Sequence, residues 1–351
     1  MTTRSKDNPT ISVVIVTFRQ GEDVRPTLDA LTAQLREDDE LIVVDNASGD
    51  GTREVVANAA PDARLVRSPT NDGFPAACNR GATRAFGELL VFLNPDAVPA
   101  PDWREAIAEP LGDGSDWDAW QALVTAERGQ LVNTRGGVVH FTGIAWAGGS
   151  GEAVDGEAAY PEPGFVSGAC LAIRREVFER LGGFSPEFFL YHEDVDLSLR
   201  VRLAGGRLGV APRARVDHAY EFDKGLQKWR YLERNRWATL IRVFPTPLLL
   251  VLAPALLATE IALFLVAAAG GWLPQKRAAA GATARALPRL REERREVQAT
   301  ARIGAGEFAR SLTPWLDSRY LGRAARSRLL TRLLAAYWGL VLLLVGAGRS
   351  A

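Results

Sequence analysis

The fold is decided by residues 11–52, which read ISVVIVTFRQGEDVRPTLDALTAQLREDDELIVVDNASGDGT. The β-branched run Ile11–Thr17 is long enough for a strand buried on both faces, and Glu40–Asp45 is a second such run. Residues 24–35 between them have helical spacing, with one apolar face made by Leu28, Leu31 and Leu35. A strand, a helix and a strand at this spacing predict a βαβ unit in a parallel sheet.

The same alternation continues outward from this unit. Further strands are predicted at residues 64–67, 89–93, 165–173 and 208–216, and helices at 52–59, 75–86, 174–181 and 193–204. Residues 113–164 are Gly-rich and less regular. The pattern predicts an α/β fold with a doubly wound, mixed and mostly parallel sheet, whose ligands bind at the carboxyl ends of the strands.

Charge is distributed unevenly along a chain whose net charge is zero. Residues 1–243 carry a net charge of −9, and residues 276–328 carry +8. An acidic body argues against a nucleic-acid partner, whereas the basic stretch suits an anionic lipid surface. The chain has two cysteines without metal-ligand spacing, which predicts a reducing compartment. Residues 1–9 lack an apolar stretch, which predicts that they are not a secretory signal.

The composition changes after residue 243. Residues 247–272 and about 329–347 are apolar, and a basic linker joins them. We therefore expect a catalytic domain over 1–243 and a helical, membrane-associated region over 244–351, because little polar chain remains to cover two core helices. Residues 228–244 are typical of an interfacial helix. Pro254 can kink a helix, and the charge of Glu260 is costly at the centre of a bilayer, so the first segment could span the membrane, re-enter it or lie in the interface. Both termini and the basic linker are predicted to be cytoplasmic.

Polar residues follow three of the predicted strands. Asp45-Asn46 ends the second strand, and its carboxylate suits a ribose or base contact, although a helix cap is an equal alternative. Gly73 in Asn71-Asp72-Gly73-Phe74, followed by Asn79, lets the backbone approach a ligand at a helix N-terminus, or simply forms a loop and cap. Asn94-Pro95-Asp96 puts a carboxylate at a strand tip, where a hard divalent cation could share it with phosphates.

Two more motifs lie further along the chain. Glu193, Asp194 and Asp196 crowd the first turn of one helix, where the helix dipole favours negative charge, but a general base is the alternative reason for gathering like charges. His218 ends the last strand of the body. A lone histidine is usually structural, yet its imidazole could complete a metal site with Asp96.

Together these stretches resemble glycosyltransferase family 2, in the branch that includes bacterial cell-wall rhamnosyltransferases. The resemblance covers residues 11–243 and rests on SVVIVTF, ELIVVDNASGDGT, NDGFPAACNRGA, GELLVFLNPDA, VDH and the long stretch over 166–212. It implies a GT-A fold and an enzyme that takes a nucleotide-diphosphate sugar as donor.

The resemblance also implies roles for individual residues. Asp194 corresponds to the general base, and Glu193 to an acceptor-binding residue. Asp96 and His218 correspond to ligands of a divalent metal, Mg or Mn. Where the family has Asp-x-Asp this chain has Asn94-Pro95-Asp96, which leaves the role of the first position open. The expected donor-binding residues are Thr17, Arg19, Asp45, Asn46, Gly73, Phe74, Asn79, Asn94 and Asp96.

The function expected from this resemblance is transfer, with inversion, of rhamnose or a similar sugar. The apolar C-terminal segments predict a lipid-linked or cell-envelope polysaccharide acceptor, and the cytosolic donor and the basic linker predict the cytoplasmic face of a bacterial cell membrane. One alternative is a sugar-phosphate nucleotidyltransferase, although Thr17-Phe18-Arg19-Gln20-Gly21 has a single glycine where that class has a Gly-rich loop. The other is a catalytically silent membrane scaffold that binds nucleotide-sugar, for which Asn94 is the only support.

Overall fold

The computed structural model describes residues 9–156, 159–218, 225–318 and 327–346. Residues 1–8, in which no secretory signal is predicted, and Ala347 at the end of the second apolar segment lie outside these ranges. Within them, a central sheet of nine strands is covered by helices on both faces, which is a mixed α/β architecture.

The strands of the central sheet have the spatial order β3-β2-β1-β4-β10-β6-β11-β5, with β7 paired to β6. The first four in this order are parallel, and β10 runs antiparallel to both of its neighbours. A small second sheet pairs β8 with β9. The strands are β1 Ile11–Thr17, β2 Glu40–Asp45, β3 Arg64–Arg67, β4 Leu89–Leu93, β5 Ala97–Pro99, β6 Ala119–Ala126, β7 Leu131–Thr134, β8 Gly137–Val139, β9 Ala145–Ala147, β10 Cys170–Arg174 and β11 Leu208–His218.

The helices of the body pack on the two faces of the sheet, and five more follow β11 at the C-terminal side. Those of the body are α1 Arg25–Thr32, α2 Thr52–Ala59, α3 Phe74–Ala82, α4 Trp103–Ala108, α5 Arg175–Arg180 and α6 Glu193–Leu203. The C-terminal ones are α7 Gln227–Val243, α8 Thr246–Ala269, α9 Leu273–Ala299, α10 Ala305–Ala309 and α11 Arg328–Gly346.

Apolar burial explains the parallel half of the sheet. Every residue of β1 and β4 is buried, because helices cover both faces of these strands. One core packs α1, α2 and α4 against the sheet, and the other packs α3, α5 and α6 against its opposite face. The mixed, mostly parallel α/β fold predicted from the sequence is confirmed.

The predicted strand over 165–173 is shorter than expected. Phe165 forms an isolated bridge with Gly137 instead of joining the central sheet, and Cys170 is the first residue of β10. The intervening Ser167–Ala169 segment turns along the edge of a cleft, so only the last part of the predicted run is a strand.

The C-terminal helices share a core with the body. Apolar side chains of α6 pack with those of α7, α8, α10 and α11 in one buried cluster that includes Leu199, Leu240, Leu252 and Val341. Helix α7, whose sequence is typical of an interfacial helix, has nine buried residues and packs against α6 and α9. Helices α8 and α11 are each long and apolar enough to cross a membrane. Of the apolar stretch of each helix, only 11% is buried in α8 and 17% in α11.

Candidate active site

A cleft of about 910 Å³ opens at the carboxyl ends of β1 and β4. Its wall includes Asp96, Asp194 and His218, which are far apart in sequence. This is the position where open α/β sheets bind ligands, because the strand order reverses there. The remaining wall comes from the loops before α3 and α6, from β7 and β9, and from α7.

Asp96 and His218 lie next to each other where the start of β5 pairs with the end of β11. Asp96 immediately precedes β5, and the antiparallel register of β5 with β11 puts His218 opposite Ala97. The Nε2 atom of His218 therefore lies 3.2 Å from Oδ1 of Asp96. The imidazole is buried, whereas the carboxylate is 44% exposed toward the cleft.

An amide network forms the wall on the β2 side. Asn46 donates from Nδ2 to Oδ1 of Asn71 at 2.8 Å and to the carbonyl of Gly73 at 3.3 Å, and its own Oδ1 accepts from the backbone of Asp72 at 3.2 Å. The side chain is thus fixed by three hydrogen bonds, and the Asn71–Phe74 loop is fixed with it.

Gly73 is the point where this loop meets the opposite wall. Its φ is +86°, and a Cβ placed on it would lie 2.4 Å from the carbonyl oxygen of Phe189. Next to it, the N–H of Phe74 donates to that same carbonyl at 2.9 Å. Only glycine tolerates both the left-handed conformation and the close contact, so this residue joins the β2 side of the cleft to the loop before α6.

The structure brings eight of the sequence-predicted site residues to the wall of one cleft. These are Asn46, Gly73, Phe74, Asn94, Asp96, Glu193, Asp194 and His218.

Four of the predicted donor-binding residues do not line this wall. Thr17 is fully buried with its hydroxyl 3.5 Å from the carbonyl of Val44, and Asp45 pairs with Arg53 at 3.1 Å. Arg19 lies over the ring of Phe18. Both groups of the Asn79 amide bond to the backbone of Phe184, at 2.7 and 2.9 Å, so this side chain clamps a loop.

The carboxylate pair Glu193 and Asp194 begins α6 directly after a strained turn. Tyr191 and His192 both have left-handed backbone angles, with φ of +67° and +71°. Such angles cost about 1–3 kcal/mol each in non-glycine residues and persist only where the surroundings hold them. Here the His192 ring is held by Thr239 at 3.2 Å and by the carbonyl of Gly143 at 3.1 Å.

Helix α7 supplies further supports that the sequence did not reveal. Asn235 donates from Nδ2 to the carbonyls of Leu190 and Tyr191, at 2.9 and 2.7 Å, and so fixes the strained turn from behind. Asp196, the third carboxylate of the motif, is fully buried between Arg200, at 2.8 Å, and Arg242 of α7. The polar residues of α7, such as Asn235 and Arg242, are visible in the sequence, but nothing in the sequence shows what they contact.

The three carboxylates of α6 have different protonation behaviour. Burial and the neighbouring charge of Asp194 raise the pKa of Glu193, and burial also raises the pKa of Asp194, although backbone N–H groups of Gly168 and Val195 partly oppose this. For Asp196, burial alone would raise the pKa, but Arg242 and Arg200 outweigh it and lower the pKa. Glu193 Oε2 is buried and has no hydrogen-bond partner among the described residues.

The end of the cleft at α7 and α8 combines aromatic and apolar side chains with the charged Lys228, Glu233 and Arg236. Leu232 of α7 and Leu263 of α8 contribute to it. Trp229 and Trp272 also line it and stack at 4.9 Å with an angle of 17° between their rings. This end suits an apolar or carbohydrate ligand, because aromatic rings present large flat surfaces.

Asp96 and His218 are two residues in the cleft whose side chains could bind a divalent ion. Among the described residues there is no group of three or more His, Cys, Asp or Glu side chains that could hold a metal. The pair offers one carboxylate oxygen and one imidazole nitrogen on the same wall. Ions such as Mg²⁺ bind through one or two protein ligands together with phosphate oxygens and water, so the pair fits an ion that a phosphorylated ligand completes.

The fold and this cleft define a GT-A-type enzyme. A family model described as glycosyl transferase family 2 matches residues 12–182. The chain therefore contains a glycosyltransferase family 2 domain, as its motifs indicated.

Two curated relatives show the range of similarity. The chain is 27% identical over 255 residues to the N-acetylglucosaminyl-diphospho-decaprenol L-rhamnosyltransferase of Mycobacterium tuberculosis, which covers 66% of this chain and 83% of that protein. It is 32% identical over 225 residues to the O-antigen biosynthesis protein RfbC of Myxococcus xanthus, covering 61% of this chain and 17% of that protein.

Two solved structures share the fold. GalNAc-T7, determined with UDP, GalNAc and Mn²⁺, has a TM-score of 0.57 at 17% identity and covers 70% of this chain and 50% of its own. The mannosyltransferase PcManGT of Pyrobaculum calidifontis, determined with GDP-Man and Mn²⁺, has a TM-score of 0.50 at 24% identity and covers 84% and 86%. At these identities the similarity shows the fold alone.

Replacement of Gly73 by alanine tests the close contact in the cleft. The positive φ should cost about 1–2 kcal/mol, and the clash with the Phe189 backbone should add about 1–3 kcal/mol. Gly114→Ala is the matched control, since Gly114 has φ +85° and open space around it. Denaturant unfolding should show the larger loss for Gly73→Ala. Equal losses would mean that the Phe189 contact contributes nothing.

Replacement of Glu193 by glutamine tests the raised pKa of that carboxyl. A group whose pKa is higher in the folded than in the unfolded protein destabilises the fold progressively as pH rises from its ordinary value through its folded value. Glu193→Gln stays neutral, so it should raise Tm at about pH 9 and change it little at about pH 4. An equal change of Tm at both pH values would show that Glu193 is not held in its neutral form.

Proposed function

We propose that the protein is an inverting, metal-dependent glycosyltransferase that moves rhamnose or a similar sugar from a nucleotide-diphosphate donor to a lipid-linked or cell-envelope glycan. The observation that carries this proposal is the meeting of Asp96, His218 and Asp194 around one cleft. A metal-binding pair and a separate carboxylate are what a single displacement at an anomeric carbon requires.

Asp96 and His218 are the residues that would hold a Mg²⁺ or Mn²⁺ ion. When bound, such an ion supplies positive charge that stabilises a leaving diphosphate. Support comes from the donor set and from GalNAc-T7 and PcManGT, which share the fold and were each determined with Mn²⁺ and a nucleotide or nucleotide-sugar.

The donor is proposed to lie along the wall formed by Asn46, Gly73, Phe74, Asn94 and Asp96. Asn46 shapes this wall through its three hydrogen bonds, and the positive end of the α3 helix dipole lies on the wall at Phe74, where it favours a diphosphate. Thr17, Arg19, Asp45 and Asn79 are proposed to support this wall from outside, since their side chains are occupied elsewhere.

Asp194 is proposed as the general base. Both of its oxygens accept backbone N–H groups, of Gly168 at 3.0 Å and Val195 at 2.8 Å, which fixes the carboxylate at the cleft wall. It accepts the proton of the acceptor hydroxyl while that oxygen attacks the anomeric carbon and the bond to the diphosphate breaks. Attack from the side opposite the leaving group inverts the configuration. Glu193 is proposed to bind the acceptor, because its Oε2 is buried in the cleft wall and has no hydrogen-bond partner in the part of the chain that the structure describes.

A lipid-linked acceptor is supported by the aromatic end of the cleft, which Leu263 of the apolar helix α8 helps to form. The similar enzyme of Mycobacterium tuberculosis is an N-acetylglucosaminyl-diphospho-decaprenol L-rhamnosyltransferase, which is named for a lipid-linked acceptor. We place the enzyme at the cytoplasmic face of a bacterial cell membrane, with residues 1–243 as the catalytic domain and 244–351 as the membrane-associated region, since nucleotide-sugars are made in the cytosol.

A donor panel of dTDP-rhamnose, UDP-galactofuranose and UDP-hexoses, scored for metal-dependent transfer, tests the function. Release of pyrophosphate from a sugar phosphate and a nucleoside triphosphate would favour a nucleotidyltransferase instead. Donor binding without hydrolysis or transfer, to any acceptor offered, would favour the silent scaffold.

Asp194→Asn should lower turnover about 10²–10⁴-fold, the usual contribution of a general base, while the dissociation constant of the donor stays nearly unchanged. Turnover is measured by product formation and donor affinity by calorimetry. Asp102→Asn is the isosteric control, because Asp102 is exposed at the start of α4. Near-normal turnover of Asp194→Asn would remove the base assignment.

Asp96→Ala and His218→Ala should each remove the dependence of donor affinity on Mn²⁺. The matched control is the unchanged protein in chelator, whose donor affinity each variant should reproduce in the presence of Mn²⁺. Persistence of a Mn²⁺-dependent gain in affinity would show that the ion is held elsewhere.

A further inference from the structure

One face of helix α8 packs against the rest of the protein. Its buried residues Leu248, Leu252, Leu256 and Ala267 follow mostly a four-residue spacing, so they form one stripe on one face of the helix. Leu248, Leu252 and Leu256 pack into the core shared with α6, α7 and α10. The other faces of the helix are left for contact with lipid.

The single charged residue of α8 points into the protein. Glu260 accepts hydrogen bonds from Arg236, from Trp237 Nε1 at 2.9 Å and from Lys276 Nζ at 2.8 Å. Glu233 pairs with the same two cations, which makes a cluster of two acids and two bases at the junction of α7, α8 and α9. Moving α8 away from the body would leave these largely buried charges without partners, which is strongly unfavourable.

Both ends of α8 are fastened to the same pair of helices. At its start, Arg294 of α9 donates to the carbonyl of Phe244 and to Oγ1 of Thr246, each at 2.8 Å. Just beyond its end, Trp272 stacks on Trp229 of α7. A helix of this length spans about 36 Å, so opposite membrane sides for its two ends would require the charged helices α7 and α9 to enter the hydrocarbon.

Helix α11 is fastened in the same way. Trp338 stacks on Phe141 of the body with ring centroids 5.0 Å apart, and the hydroxyl of Tyr337 donates to the carbonyl of Val251 in α8 at 2.5 Å. The two apolar helices therefore lie side by side on the body.

The outward faces of these two helices are apolar and uncovered. Large side chains that are more than half exposed are Leu250, Leu257, Ile261, Leu265 and Val266 of α8 and Leu329, Leu333, Leu340, Leu343 and Leu344 of α11. We name this set the outer apolar face. An uncovered apolar patch of this extent marks an interaction site.

Charge near the outer apolar face favours a lipid occupant over a second copy of the chain. Five arginines of α9 are exposed against two exposed glutamates, and the charged residues of α11, Arg328 and Arg332 in its first two turns, are exposed as well. A basic surround complements anionic headgroups and repels another basic copy.

We infer that α8 and α11 lie flat in one leaflet of an anionic membrane, with the outer apolar face at the boundary between headgroups and acyl chains, and that α8 does not cross the bilayer. This inference rests on the membrane association proposed above but not on the transfer chemistry. Binding to vesicles and transfer of sugar are measured separately, so failure of one is distinguishable from failure of the other.

The depth of α8 in a membrane is measurable because the two native cysteines, Cys78 and Cys170, are fully buried. Single cysteines at Leu250, Leu257 and Leu265 are labelled with a fluorophore and bound, in the full chain, to vesicles of anionic phospholipid that contain spin-labelled quenchers at several depths. A flat helix predicts one shallow depth for all three, roughly 5–10 Å into the boundary. A label at the bilayer midplane for Leu257, with Leu250 and Leu265 near opposite surfaces, would overturn the inference.

Two exposed positions at the ends of α8 provide a second measurement. Cysteines introduced at Thr246 and Ala269 should both react with a membrane-impermeant maleimide added outside the vesicles, whereas a crossing helix would leave one of them protected.

An outer-face variant, Leu250→Glu with Leu343→Glu, should weaken vesicle binding at least about tenfold, since two large apolar groups are lost from the lipid contact. Its Tm should stay unchanged, because both side chains are exposed. Failure of the parent chain to bind anionic vesicles, with dimerisation that the same variant abolishes, would assign the outer apolar face to a second copy and overturn the inference.

Discussion

The carboxylate of Asp196 and its two arginines hold the catalytic end of the molecule together. Asp196 is fully buried between Arg200 on its own helix and Arg242 on α7, and Arg242 continues to Glu293 of α9 at 2.7 Å. Removing one member of such a buried set leaves another charge uncompensated, which typically costs about 3–5 kcal/mol. Helix α6, which begins with Glu193 and Asp194, is therefore fixed to the helices α7 and α9 that follow β11 in sequence.

This arrangement divides one acidic motif into two parts. Asp196 is neutralised by arginines and serves the packing of α6, whereas Glu193 and Asp194 face the cleft and have pKa values that burial raises. The strained Tyr191–His192 turn comes directly before this carboxylate pair and is held by Asn235 and Thr239 of α7. Asp196, which stabilises the packing, and Glu193 and Asp194, which face the cleft, thus lie in one helical turn. The packing behind this turn supplies the free energy that holds the strained backbone and the buried carboxylates in place.

The sequence predicted those elements that an apolar run alone determines. Strands β1, β2, β3 and β4 and helix α2 have the predicted bounds, because each run is buried or half-buried within one regular element. Strand β6, AWQALVTA, lies in the middle of the sheet but was not predicted. Its Gln121 and Thr125 interrupt the apolar pattern, and both are satisfied by distant partners, Ser167 and Val216 among them, that no local pattern shows.

The sequence predicts the place of a site residue when that place depends on local structure, and fails when it depends on contacts between distant elements. Asp96 and Asp194 could be placed at a strand end and at a helix start, but the 3.2 Å approach of Asp96 to His218 depends on antiparallel pairing of β5 with β11, which periodicity does not specify. The support of the cleft by α7 was missed for the same reason. Its Trp- and Arg-rich sequence is typical of a membrane interface, yet its polar side chains bond to the turn before α6 and to Glu260.

Glu260 shows most directly how the cleft and the apolar helices are coupled. A carboxylate inside an apolar helix is costly in lipid, and here it is turned onto Arg236, whose Nη1 also donates to the carbonyl of Thr142 at 3.0 Å. Arg236 and Leu263 line the same cleft as Asp194. The side of α8 that faces the protein therefore borders the cleft, and its other side is uncovered. A lipid-linked acceptor would meet α8 first and could reach the carboxylate pair along this helix, without its apolar chain having to leave the surface on which α8 lies.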